Sequence, residues 1–506
     1  MISSKFTYAS ALAIGGSHPI LFTSVALFVL CVGGSTIYNL YFHPLSKFPG
    51  PLLARSSLLW RCWHTLSGRS HRAIQKQHEK YGPVFRVSPN ELSFASVSSW
   101  KAIYGFPPAG QQHLVKSEFY DTFGAGFKEA CIGSERRPAA HAQKKKYLSA
   151  AFSSQALQSQ EAIVQQCWNA FVTKIGPLSR QNPMGINVVD WFEMATFDML
   201  GEMAFGESFG CVESEKHHFW LDLILEHLFE ITLLDNMGRI PILDSLTSYV
   251  LPWLTTRVRA KHQRYSRAKV QKRLDAEDAR HDFLTNLVSN VKSGQVSREE
   301  LTAHASTLII AGAETTAHTL ASATYYLLKT PHALRKLTDE VRSQYKSFEE
   351  IDAPSALQLP YLKAVIDEAL RIHPSGAQGF PRISPGVEID GHYVPAGSEV
   401  YTSAWSVVHD PSNFHDPTTF KPERWLDKDC TDVKEASQPF SLGYRACLGR
   451  NFASMEMVLC LAKMVYKYDW ELLNKDLDWE ADSRCYVMWW KAPIPVRFTD
   501  REPVGN

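Results

Sequence analysis

The chain has 506 residues, 45% of them hydrophobic and 12% aromatic, which is enough to bury a large core. Lys and Arg (53) almost balance Asp and Glu (52), so the net charge of +1 excludes a global field suited to nucleic acid. Nine scattered cysteines with no C-x-x-C exclude a disulfide framework and, with no N-x-[ST] sequon, point to a reducing compartment.

From Phe6 to Ser46 there is no Lys, Arg, Asp or Glu. The apolar run from Ile20 to Tyr38 has the length of the roughly twenty helical residues that cross a bilayer core. Tyr38, Tyr41 and Phe42 are placed for one interface, with Lys47 and Arg55 on the cytosolic side. Gly33-Gly34-Ser35 leaves a cleaved signal peptide as the rival, one that fits the cysteine pattern poorly. The prolines at 44, 49 and 51 predict a stiff hinge that cannot continue the helix. No linker or repeat interrupts residues 60–500, so one large domain is expected there.

His141-Ala142-Gln143-Lys144-Lys145-Lys146 begins a helical segment that runs towards Phe152. Lys144 and Lys146 read either as a solvated face or as a docking patch for an acidic electron donor. Ser297-Arg298-Glu299-Glu300 reads as a capping box. It opens the longest helical pattern, which continues to about Lys329, roughly 48 Å. In its middle stand Ala311-Gly312-Ala313-Glu314-Thr315-Thr316. Gly and Thr are poor helix formers, so the ladder is expected to loosen here. An acid beside a hydroxyl at such a turn could organise water and deliver protons. The plainer alternative is a core helix that tolerates a glycine.

Pro360 to Pro374 reads as a helix bracketed by prolines, with Glu368 and Arg371 on one face. A buried pair of this kind stabilises only if its remaining hydrogen-bond valences are filled. Arg424 of Pro422-Glu423-Arg424-Trp425 could fill them, the rival being an ordinary surface pair. The last motif is Phe440-Ser441-Leu442-Gly443-Tyr444-Arg445-Ala446-Cys447-Leu448-Gly449. Gly443 and Gly449 lack a Cβ and would let backbone lie close to a ring face. Arg445 could pair with a carboxylate at the ring's edge. Phe452, Met455, Val458 and Leu459 follow at helical spacing, so Cys447 precedes a helix N-terminus that favours an anionic sulfur. A lone soft ligand fits haem iron, whereas zinc would want several ligands near by. A buried cysteine acting as a small hydrophobe is the alternative.

This loop is similar to the haem-binding loop of the cytochrome P-450 superfamily, F-x-x-G-x-R-x-C-x-G, at every fixed position. The Ala311–Thr316 run, E-x-x-R and P-E-R-W resemble three further motifs of that family, in the family's order. The hinge and Arg86–Phe94 look most like the fungal microsomal branch that tailors secondary metabolites. The resemblance implies a mainly α fold with small β-sheets, the haem lying between the long central helix and the Cys loop, behind an N-terminal transmembrane helix. Residues 1–42 would form the anchor (span about 20–40), 43–55 the hinge and 56–506 the catalytic domain.

By the same resemblance Cys447 is the axial thiolate of heme b, and Phe440, Gly443, Gly449 and Gly312 lie against the cofactor. Arg445 and Arg382 face its propionates. The family usually has W-x-x-x-R where this chain has His141 and Lys145, so these two are expected to make a weaker, less directional contact. Thr315 would hydrogen-bond the bound dioxygen and Glu314 would feed its proton relay, while Glu368, Arg371 and Arg424 lock the core behind the thiolate. The implied reaction is a monooxygenation, hydroxylating or epoxidising a lipophilic terpenoid, polyketide or alkaloid in secondary metabolism. The chain lacks a nucleotide-binding unit, so electrons from NADPH would arrive through cytochrome P-450 reductase, with cytochrome b5 as a further donor. The resemblance implies a single-pass protein of the endoplasmic reticulum membrane with its catalytic domain cytosolic. By that analogy pocket walls are expected at 119–123, 225–242, 306–310, 376–380 and 488–490, apolar and aromatic apart from Gln378 and a few hydroxyls. Two other readings stay open: a haem-thiolate isomerase or dehydratase that does not use O2, against which Glu314-Thr315 argues, and a non-catalytic haem- or lipid-binding membrane protein.

Overall fold

Helix α1 (Pro19–Ile37) continues into a π-helical turn, Tyr38–Phe42, because the chain cannot stay helical beyond His43-Pro44. The computed structural model describes residues 19–122, 127–240, 243, 260–276 and 282–501; the first part of the expected anchor, Phe123 and residues 241–242 of the expected walls lie outside them. Ile20–Phe42 is long and apolar enough to cross a membrane, and its apolar window is not buried by the described residues. The segment after it is more than a tether. Leu45 and Phe48 are fully buried in the body, and Arg86 donates to the Asn39 carbonyl at 2.7 Å. The hinge is therefore docked, since its apolar residues find a hydrophobic cluster with Val84, Leu92 and Val400.

The body is mainly helical. The helices that position the site are α2 (Pro138–Ser149), α3 (Ser154–Gln181), α4 (Val188–Phe205), α5 (Phe219–Gly238), α6 (Arg298–Lys329), α7 (Pro360–Ile372) and α8 (Arg450–Lys467). A five-stranded sheet uses β1 (Val84–Ser88), β2 (Glu91–Phe94), β3 (Val115–Lys116), β4 (Arg382–Ile383) and β5 (Glu399–Thr402), in the order β1-β2-β5-β4-β3. Its β2–β5 pair is parallel and the others antiparallel. A hairpin of β6 (Arg484–Cys485) and β7 (Trp489–Trp490) pairs Arg484 with Trp490.

Helix α6 crosses the core and is buried along almost its whole length. Ser297 caps it, its hydroxyl accepting from the Glu300 amide at 3.0 Å. The Glu300 carboxylate does not reach back as a full capping box would; it pairs with Lys144 at 2.9 Å. That contact removes Lys144 from the surface and corrects its expected place in a docking patch, while Lys146 is exposed. The expected loosening at 311–316 does not occur, for the helix is α throughout. Hydroxyls engage its carbonyls without breaking it: Thr315 donates to Ala311 at 2.7 Å and Thr196 of α4 to Ala313 at 3.1 Å. Gly312 serves packing, since a Cβ there would lie 2.7 Å from Leu200 of α4.

Candidate active site

Cys447 lies between a 3₁₀ turn, Gly443–Arg445, and α8, with Gly449 at the helix cap. Its amide donates to the Phe440 carbonyl at 2.8 Å, which closes the loop. Gly443 has φ +67° and packs against the Tyr104 carbonyl, so a side chain there is excluded on both counts. Gly449 has room, the nearest atom to a Cβ being on Phe152 at 4.0 Å. Gly443 thus seats the loop on its own protein neighbours, while only Gly449 leaves open space. The sulfur is exposed although protein surrounds it closely, and burial raises its pKa against the Gly449 amide, Arg450 and Lys145. The Gly449 amide at the helix start favours the anion, in the direction expected from position, but burial outweighs it. A bound metal cation would make the thiolate.

Between Leu301 and Leu327 of α6 only Ala311 is exposed. Thr316 donates to Glu456 of α8 at 3.1 Å, and six residues, roughly 9 Å of helix, separate Glu456 from the start of α8 beside Cys447. Helix α6 is therefore packed on α8, the helix that Cys447 precedes.

Beside the Cys loop lies a cluster of cations. His141 is buried with no partner at Nδ1, and burial together with Arg445, Lys116 and Lys145 pushes its pKa down to about 3. Lys116, on β3, is held well below its usual range by burial and by Arg445 and Arg382. Lys145 donates to the Tyr444 carbonyl at 2.8 Å. Arg445 donates to the carbonyls of Glu135 and Arg136 at 2.7 and 2.8 Å, leaving Nε without a partner. Arg382 donates to the Tyr120 hydroxyl at 2.8 Å. Like charges that suppress one another's protonation are relieved by an anion, and a carboxylate would also satisfy the bare nitrogens. Sequence reading overlooked Lys116, whose only signal is a lysine in a short, otherwise uncharged strand.

Helix α7 presents Glu368. Both its oxygens are claimed by Arg371 at 2.8 Å, and Arg424, Trp425 Nε1 and the Lys421 amide complete the shell at 3.1, 2.9 and 2.9 Å. Glu314 points elsewhere. Its Oε2 takes a bond from Lys491 at 2.5 Å, Lys491 also reaches Glu193 at 2.7 Å, and Oε1 has no partner. Burial pushes the Glu314 carboxyl up to about 7, Glu193 adding to the rise and Lys491 opposing it. Neither Lys491 nor Glu193 was singled out from the sequence. Each is an isolated charge in an apolar run, Trp490-Lys491-Ala492 and Phe192-Glu193-Met194.

Residues 48–496 match the family model of cytochrome P450. The chain belongs to the cytochrome P450 family. A cytochrome P450 monooxygenase of Penicillium roqueforti, ORF9, is 55% identical over 92% of this chain and 91% of its own length. BOT4, a cytochrome P450 monooxygenase of Botryotinia fuckeliana, is 49% identical over 92% and 89%. The crystal structure of the cytochrome P450DA heme domain shares the fold, with a TM-score of 0.72 at 18% identity over 86% of this chain and 93% of that one. Membership implies a haem with its iron. The residues of this cytochrome P450 suit one: an accessible sulfur for the metal, and partnerless nitrogens on Arg445 and His141 for carboxylates.

The described part of the expected walls includes an aromatic contact. Phe229 of α5 packs on Tyr486 and Trp490 at ring distances of 5.0 and 5.6 Å. Gln378 is spent on structure, donating to the Tyr486 carbonyl at 2.7 Å, so the polar group expected in the pocket is tied to the hairpin.

Proposed function

We propose that the protein is a haem-thiolate monooxygenase acting on a lipophilic small molecule of secondary metabolism, with Cys447 as the axial ligand of heme b. The observation that carries the reading is an exposed Cys447 at the start of α8, beside the basic side chains of Arg445, Lys116 and Lys145 and a neutral, buried His141. The similarity to monooxygenases across nine-tenths of the chain supports it. Haem iron with a sulfur ligand supplies activation of dioxygen and insertion of one oxygen atom into a C–H bond or an alkene.

The chain's own residues do the rest. Arg445, His141, Arg382, Lys116 and Lys145 would hold the carboxylates of the cofactor. Phe440 and Gly449 border the sulfur, and Gly312 lets α4 and α6 approach closely nearby. Thr315, whose hydroxyl donates to Ala311, would supply a hydroxyl near the cofactor, and Glu314, next to it in the chain, would store the proton. Glu368, Arg371 and Arg424 keep the Cys loop's support rigid. The aromatic contact of α5 with the β6–β7 hairpin excludes water from an apolar substrate. Ile20–Phe42 anchors the enzyme in the endoplasmic reticulum membrane, and NADPH–cytochrome P-450 reductase, with cytochrome b5, delivers electrons to the cytosolic face.

The test is the reduced, carbon monoxide-treated difference spectrum of the membrane fraction. The wild type is expected to give the thiolate-type Soret band, and Cys447→Ser to lose it. A wild type without the band, or a mutant that keeps it, overturns the ligand assignment. NADPH consumption that requires both reductase and a lipophilic substrate completes the case for oxygenation.

A further inference from the structure

The ion cluster on Glu314 does not stop inside the protein. Lys491 joins it to Glu193, on the first turns of α4. One turn earlier on the same helix is Asp190, and ligand atoms of Asp190, Glu193 and His217 all lie within 4.8 Å of one another. Asp190 and His217 have side chains 46% and 30% exposed, against 6% for Glu193 and 1% for both Lys491 and Glu314. Exposure therefore falls step by step from solvent to the central helix, with an ionisable group at each step.

We propose that this file, from Asp190 and His217 through Glu193 and Lys491 to Glu314, is the route by which protons of solvent reach the active site. The inference rests on the reading that Glu314 and Thr315 deliver protons, and it adds where those protons come from. Three features of the geometry carry it. One ammonium stands between two carboxylates, so the buried cluster holds one negative charge too many, and a resident proton relieves it. Glu314 has one oxygen bound to Lys491 and one with no partner, so it has an oxygen free to hold a proton. Glu193 is bonded to Lys491 on its inner side and near Asp190 on its outer side, at a separation that one water bridges.

The transfer balances without changing the charge of the lysine. As an N–H bond of Lys491 breaks and its proton passes to the Glu314 carboxylate, a proton from the Glu193 carboxyl forms a new N–H bond. Glu193 is then reprotonated from solvent by way of Asp190 and His217. The surrounding charges are consistent with this direction. His217 is also 3.6 Å from Asp222, which concentrates negative charge at the entrance. His318, one turn beyond Glu314, is held neutral by burial and by Lys491, with Nε2 facing the His373 carbonyl at 3.0 Å, so it does not compete as a cation. Glu193 and Lys491 are positioning and relay groups here; neither touches substrate.

Lys491 variants strand two buried carboxylates and put folding at risk, so the test uses the isosteric Glu193→Gln and Asp190→Asn in the full-length enzyme with its reductase. The carboxyl C=O stretch that vanishes in Glu314→Gln identifies Glu314 in the infrared spectrum of the ferric protein. In Glu193→Gln it is expected to titrate well below the wild-type value near 7, because Lys491 then serves Glu314 alone. Product formed per NADPH is expected to fall by roughly tenfold or more, as for loss of a proton-transfer group. Asp190→Asn is expected to leave the band's titration near wild type but to enlarge the solvent isotope effect on turnover. Unchanged titration in Glu193→Gln, or a wild-type isotope effect in Asp190→Asn, overturns the route. If Glu314→Gln itself is fully coupled, the underlying relay reading falls; if it uncouples while both other variants behave as wild type, only the route does.

Discussion

Two buried ion clusters, one on Glu368 of α7 and one on Glu314 of α6, are built to different rules. Around Glu368 the donors outnumber what one carboxylate can accept: two arginines, an indole and a backbone amide close on it, and Asp432 takes up the second arginine's remaining charge. Around Lys491 the acceptors are in excess, with two carboxylates on one ammonium and one oxygen left bare. A saturated cluster has one low-energy arrangement and stiffens whatever it touches. An under-compensated one has two protonation states close in energy, which suits it to moving a proton and makes it a poor brace.

Breaking the saturated cluster should have the largest effect. Arg371→Ala leaves Glu368 buried with its main partner gone and is expected to cost about 3–5 kcal/mol. Loss of folded, haem-loaded protein in membrane fractions, read by thermal melting and by the carbon monoxide spectrum, checks it. The equivalent change in the other cluster should spare the fold and damage the chemistry. Glu314→Gln is expected to melt near the wild type at pH 6 yet lower product per NADPH by roughly 10²-fold, in favour of peroxide.

The comparison sharpens with pH. Glu314 is raised from 4.5 to about 7 in the folded protein, so between those values the native state holds a proton that the unfolded chain has released. Its contribution is fully present below about pH 4.5 and is lost as pH rises through 7. The melting temperature of the wild type should therefore fall from pH 5 to pH 7 relative to Glu314→Gln, which lacks the titrating group; parallel curves would refute the raised value. The smallest effect is expected from an uncharged disturbance near by. Gly312→Ala presses a methyl against the movable Leu200 side chain and should cost about 1 kcal/mol, read as a small drop in melting temperature without loss of coupling.

Much of the site was legible in the sequence because its motifs are local. Cys447 with its loop, the Glu368–Arg371 pair and the rod carrying Glu314 each lie within one short stretch, where spacing alone sets the geometry. The long helix was legible from end to end, but its expected loosening was not found, since packing against Leu200 and Thr196 of α4 holds the glycine and hydroxyl residues helical. Lys144 looked free and is paired with Glu300. Lys116 looked incidental and stands among the cations beside the Cys loop.

What the amino-acid order determined by itself was the apolar N-terminal helix, the identity of the metal-ligand candidate and the side chains of the acid–hydroxyl pair. Those properties depend on neighbours within a few turns. Only the folded chain decided which charge meets which, because Lys491 reaches Glu314 across 177 residues and Glu193 across still more. Periodicity places residues on faces of one element. Burial and partnership, which set whether a carboxyl holds its proton near neutral pH, arise where elements pack together.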